Sequence, residues 1–293
     1  MADSFYIPAG QDAWLATSHT TGPWDARAQH GGPPSALLGR AIQRCESRGD
    51  MIIARFTCEI LGAIPVGEIR VRARLARPGR SVELLEAVAS TEGRDVARAT
   101  AWRVLRTDGP QVAPRSAPPA LQEEPSAPPG GIPQAPGGTP QAPSSEAPPG
   151  EAPPGEMPPA PASGWVDGYL SAIEWRPVRG HFTEPGPATV WARMRYPLVP
   201  GEETGPLERV LAIADSGNGV SSELDLRQWR FINPELTVHL HREAVGEWIC
   251  LDARTVISTG GAGLATSVLS DADGPVGVGA QSLLIAPREH RPR

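Results

Sequence analysis

The sequence predicts an α+β protein made of two similar halves. Three observations point there. A helix signal is followed by patterns of antiparallel strands, the same succession occurs twice, and a proline-rich stretch separates the two occurrences. In the first half, the segment Gly31-Gly32-Pro33-Pro34 through Cys45 reads as a helix with proline in its first turn. Leu37, Leu38, Ala41 and Ile42 form its apolar stripe. Strands follow. Ile69, Val71, Ala73 and Leu75 alternate with Glu68, Arg70, Arg72 and Arg74, a period of two that marks a half-buried strand. The segments 81–90 and 97–106 read as two more, separated by a turn-rich stretch.

The second half repeats the plan. Residues 189–196 carry a strand pattern, and 206–217 read as a helix opened by Pro206. Residues 236–258 and 264–286 read as strand pairs, the second with a turn at Asp273-Gly274. Between the halves, residues 107–164 hold about half of the 34 prolines and no apolar periodicity. Such a segment cannot bury enough surface to offset its ordering entropy, so a disordered, semi-extended spacer is expected, with a docking ligand for a proline-binding module as the alternative. The expected division is 1–106, a linker at 107–164, and 165–293.

Composition excludes several classes. The net charge is -6, all 27 basic residues are arginine, and no basic stripe with interleaved aromatics suggests a nucleic-acid partner. Without lysine there is neither a Schiff base nor a P-loop. Cys45, Cys58 and Cys250 are widely spaced and form no CxxC, so neither a zinc ribbon nor a disulfide framework is supported. The N-terminus lacks the pattern of a signal peptide, and no run of 18 apolar residues occurs, so a cytoplasmic protein with no membrane partner is expected. Residues 260–266 lack the third glycine of a dinucleotide fingerprint and open a strand. There is no GxSxG elbow.

The segments His30–Ala41, 77–87, 174–195, 211–219, 232–242 and 280–285, in this order and spacing, resemble the acyl-CoA thioesterase II family and its wider thioesterase-like superfamily. The resemblance covers nearly the whole chain outside the linker. It implies a double hotdog: two long helices, each wrapped by an antiparallel β-sheet, with the sheets joined edge to edge. It also implies three polar side chains that activate a water, namely an Asp on the second helix, a Thr or Ser on the next strand and a Gln on the last strand. The Asp matches Asp215 and the Gln matches Gln281. Counting back from His241-Arg242 puts Asn233 in the hydroxyl slot, with Thr237 four residues on. Both lie at odd positions, so a regular strand would aim them at one face.

The residues also speak for themselves. Asp215 ends a helix that is apolar nearly all round, and a buried carboxylate is costly unless hydrogen-bonded or functional; its bland role is to shape the turn at Ser216-Gly217-Asn218-Gly219. Gln281 lies in an apolar strand, and its amide can both donate and accept, which suits orientation of a water. With a carboxylate pKa of about 3.9, Asp215 would be ionised near neutral pH and act as general base. His30, Gly31, Gly32 and Asn218 are the expected substrate-binding residues. Backbone N–H groups at the start of the first helix would hold the thioester oxygen, a task closed to Pro33 and Pro34. Arg70, Arg72 and Arg74 could meet coenzyme A phosphates but read more simply as a solvated strand face. His239 and His241 share strand parity without a third ligand, so no metal is expected, and the mechanism requires no cofactor. The expected activity is hydrolysis of an acyl thioester, carried by coenzyme A or a carrier protein. A homodimer is compatible with it. The alternatives are a hydratase or dehydratase, which needs an Asp–His pair and would bring His239 or His241 to Asp215, and a non-catalytic acyl-binding protein.

Overall fold

Two helix starts in the sequence carry a proline where a helix has no use for the N–H, and both helices form there. The computed structural model describes residues 3–109, 112, 117–121, 168–180, 182, 184–225 and 228–288. The expected linker at 107–164 therefore lies mostly outside the described residues. The first half supplies β1 (Tyr6–Gly10), β2 (Ala13–Ala16), a 3-10 turn (Ser18–Thr20), α1 (Gly32–Arg44), β3 (Met51–Ile60), β4 (Glu68–Arg77), β5 (Val82–Thr91) and β6 (Arg94–Leu105). The second supplies α2 (Tyr169–Ala172), β7 (Ile173–Arg179), β8 (Ala188–Met194), α3 (Pro206–Ala214), α4 (Gly217–Val220), β9 (Trp229–Ile232), β10 (Glu235–Leu240), β11 (Ile249–Ile257), β12 (Ala262–Asp271) and β13 (Gly274–Pro287).

The strands form one antiparallel sheet in the order β1-β2-β4-β5-β6-β3-β10-β13-β12-β11-β8-β7, with β9 paired to β13. The halves meet edge to edge where β3 pairs β10, with Cys58 opposite Leu236 and Phe56 opposite Val238. Pairing removes two sheet edges that would otherwise stand open. Inward residues alternate along each strand and pack on the helices. Leu37, Leu38 and Ile42 of α1, Val210, Leu211 and Ile213 of α3, and Ile69, Val71, Leu85, Val190, Leu236, Val238 and Leu251 of the sheet share one core. The expected double-hotdog architecture is the one observed. Arg70, Arg72 and Arg74 face outward and meet Glu68, Asp12 and Glu86, as a solvated strand face does.

The fold crosses α1 against α3 so that the N-terminus of α1 meets the C-terminus of α3. A Cβ on Gly32 would lie 2.2 Å from the Ala212 carbonyl oxygen, so only glycine permits this approach. Between β9 and β10 the chain bends at Asn233-Pro234, where proline has no N–H for the ladder. That bend breaks the expected strand parity between Asn233 and Thr237.

Candidate active site

The crossing of the two helices builds the site. Asp215 caps the C-terminus of α3 and is 3% exposed. Its Oδ1 accepts from Asn233 Nδ2 at 2.7 Å and from Gln281 Nε2 at 3.2 Å. The same Gln281 nitrogen donates to the Asp215 backbone carbonyl at 2.9 Å, while Gln281 Oε1 accepts from the Asn218 N–H at 3.0 Å. Gln281 is thus a strut that ties β13 to α3 and α4. From the other half, the Gly31 N–H also donates to the carboxyl. A Cβ on Gly31 would stand 2.6 Å from Asp215 Oδ2.

His30 completes the ring around the carboxyl. Its Nδ1 lies 3.3 Å from Asp215 Oδ2 and accepts from the Gly32 N–H at 3.1 Å. Burial lowers the imidazole pKa to about 3, so the ring is neutral and carries its proton on Nε2. Burial pushes Asp215 up to about 7, opposed by the hydrogen bonds from Asn233, Gln281 and Gly31. The expectation of an ionised Asp215 near neutral pH is corrected accordingly: burial disfavours the charged form, and near pH 7 the group is about half protonated. The contact with His30 is therefore not an ion pair. When Asp215 is protonated, Oδ2 can donate to Nδ1; when it is ionised, two acceptors face each other.

Tyr169 of α2 was not among the residues the sequence singled out. Its ring stacks on His30 at 3.8 Å between centroids, and its hydroxyl donates to the Ala212 carbonyl at 2.7 Å and meets Ser216 Oγ at 2.9 Å. It braces both sides of the helix crossing at once. A four-residue helix has no periodicity to read, so nothing in the local pattern distinguishes this tyrosine.

Other expected residues lie elsewhere. Thr237 sits on the outer face, its hydroxyl on Thr57 Oγ1 at 3.2 Å and Glu235 Oε2 at 3.0 Å, because the bend at Asn233-Pro234 places it opposite Asn233. His239 is exposed on that face and His241 is exposed just past the end of β10; the imidazole that neighbours Asp215 is His30. The N–H groups expected to receive the thioester oxygen are engaged, Gly31 with Asp215 and Gly32 with His30. Asn218 enters the site through its backbone N–H, which holds Gln281. Among the described residues no three His, Cys, Asp or Glu side chains cluster as a metal site would, and no helix is long and apolar enough to cross a membrane.

Two helices wrapped by antiparallel strands, with the two halves of the sheet joined edge to edge, define a double-hotdog protein. Residues 20–104 match the model of an acyl-CoA thioesterase N-terminal domain, and 147–285 that of an acyl-CoA thioesterase C-terminal domain. The chain belongs to the acyl-CoA thioesterase family and is a thioester hydrolase by class. A comparison with curated protein sequences finds no match. Among solved structures, a conserved protein with hot dog fold from Alicyclobacillus acidocaldarius superposes with a TM-score of 0.65 at 13% identity, covering 94% of this chain and 92% of that one. Acyl-CoA thioesterase II TesB2 from Mycobacterium marinum gives 0.58 at 13% identity, covering 97% and 96%. The tesB protein of Mycobacterium avium subs paratuberculosis gives 0.60 at 15% identity, covering 96% of each chain. At these identities the likeness concerns the fold.

Proposed function

We propose that the chain hydrolyses acyl-CoA thioesters with a water activated by Asp215. The observation that carries this reading is the buried Asp215 carboxyl, held by Asn233 and Gln281 and raised by burial to a pKa of about 7. A base poised near the working pH is the most effective one. The water oxygen attacks the thioester carbonyl carbon while its proton passes to Asp215. Collapse of the tetrahedral intermediate breaks the C–S bond, and the proton on Asp215 returns to the departing thiolate. Asn233 donates to Asp215 through Nδ2 and offers Oδ1 to the water's second hydrogen. The neutral His30 offers Nε2–H to the developing oxyanion, a role supported by the Gly32 N–H that fixes its tautomer. The acyl group lies along the crossing of α1 and α3, and 1–106 and 165–293 act as two hotdog units joined by 107–164.

The Asp215–His30 contact at 3.3 Å also supplies the pair a hydratase requires. One experiment separates the readings: incubation with saturated acyl-CoAs from acetyl to palmitoyl, with a 2-enoyl-CoA whose C=C a hydratase could hydrate, and with one acyl-carrier thioester, with Asp215→Asn as control. Free thiol, lost in the mutant, supports hydrolysis. A hydrated thioester with no free thiol overturns it in favour of the hydratase. Size-exclusion of the same sample tests the homodimer.

A further inference from the structure

Trp191 lies on β8 between Val190 and Ala192, whose side chains enter the core against α3, so its indole points to the outer face of the sheet. An outward tryptophan is expected to remain partly wet, yet Trp191 is 1% exposed. Its neighbours across the sheet on that face, Cys250 and Ser270, are also buried. The Trp191 Nε1–H donates to the carbonyl of Pro119 at 3.2 Å. Pro119 ends the tripeptide Ala117-Pro118-Pro119, and that tripeptide recurs at 127–129, 147–149 and 152–154, the last two copies followed by Gly-Glu.

Two residues along the strands from that row, the same face opens into a groove of about 510 Å³ lined by Arg179, Asp252, Arg254, Thr266, Val268 and Val278. Val268 and Val278 stand opposite each other in its floor, 40% and 48% exposed. The described chain stops at Leu121, two residues beyond Pro119, and resumes at Gly168. Residues 122–164 carry Glu123, Glu124, Glu146, Glu151 and Glu156 and no basic side chain, while Arg179 and Arg254 border the groove. Proline-rich chains lose little entropy on docking and present carbonyls that indole N–H groups can hold.

We propose that the outer face of the second half is a polyproline-docking surface whose occupant is the chain's own proline-rich segment. Trp191 is its anchor, and the adjacent groove seats the acidic Pro-Pro-Gly-Glu repeats. This inference is independent of the catalytic reading.

The test replaces 110–164 with Gly-Ser sequence of equal length and adds a fluorescein-labelled peptide of residues 147–159, with binding read by fluorescence anisotropy. The Gly-Ser chain binds the peptide saturably. The intact chain binds at least tenfold more weakly, because its own repeats compete at an effective concentration on the order of millimolar. In the Gly-Ser background, Trp191→Phe removes one hydrogen bond and weakens binding by roughly fivefold. Should that variant fail to fold by circular dichroism, exposed Arg254→Glu is the second probe; it weakens binding and reduces its salt dependence. No binding to the Gly-Ser chain overturns the proposal. So does equal affinity for intact and Gly-Ser chains, or indifference to Arg254→Glu together with Trp191→Phe.

Discussion

Asp215 concentrates the energetics of the site in one side chain. Its folded pKa, about 7, lies above the ordinary carboxylate value of 3.8, so the folded chain keeps a proton that the unfolded chain has already released. A raised acid of this kind loses stability as pH rises from about 4 through 7, the reverse of a salt-bridged carboxylate. Two outcomes follow. The kcat/KM profile for an acyl-CoA rises with an acid limb near pH 7, and Asp215→Asn, which cannot ionise, removes both that limb and the fall in thermal stability across the same window. Turnover of Asp215→Asn drops by roughly 10²- to 10⁴-fold. Retained hydrolysis, or an acid limb near pH 4, would remove Asp215 from the role of base. The pair Asn233 and Thr237 is a second residue-scale test. Asn233→Ala removes the 2.7 Å donor and should cost roughly 10- to 100-fold in kcat/KM. Thr237→Ala, on the outer face, should change it less than about threefold. Equal losses would mean that the bend at Pro234 does not separate them.

Among the elements, the crossing of α1 over α3 is what holds the two contributions to the site together. Tyr169 of α2 satisfies the Ala212 carbonyl near the end of α3 and stacks on His30 just before α1. Tyr169→Phe keeps the stack and orphans a buried carbonyl, at a cost of about 1–3 kcal/mol in chemical denaturation. An unchanged midpoint would show that the carbonyl finds another partner. Gly32→Ala is the steric counterpart. Its methyl would meet the Ala212 carbonyl oxygen, a backbone atom that cannot rotate away, so the helices must part and Gly31 and His30 leave Asp215. Activity should fall with the far-ultraviolet circular dichroism unchanged; full activity would contradict the close approach.

Considered as a whole molecule, the sheet has its middle at the β3–β10 pairing, and the site has its parts on both sides of it. His30 and Gly31 come from the first half, Asp215, Asn233 and Gln281 from the second. Expressed separately, residues 1–106 and 165–293 would each open a long strand edge and expose one face of a helix. Neither half should hydrolyse acyl-CoA alone, and mixing them should restore activity in proportion to complex formed. Turnover by either isolated half would show that the other is dispensable to the chemistry.

Both long helices, their proline starts, the alternating strands β4, β5, β6 and β8, and the repetition of the plan were legible in the sequence, because period and turn chemistry are local properties. Asp215 and Gln281 were marked by the resemblance, and a polar side chain in an apolar stretch, conspicuous along the chain itself, reinforced both. The choice between Asn233 and Thr237 needed the bend at Pro234, which a parity argument cannot register. The imidazole beside Asp215 and the tyrosine behind it needed the helix crossing, which joins residues 30, 169 and 215 by packing rather than by spacing. The charge state of Asp215 was beyond the sequence for the same reason. A carboxyl's pKa reports how much water its surroundings exclude, and only the closed sheet around two crossed helices determines that.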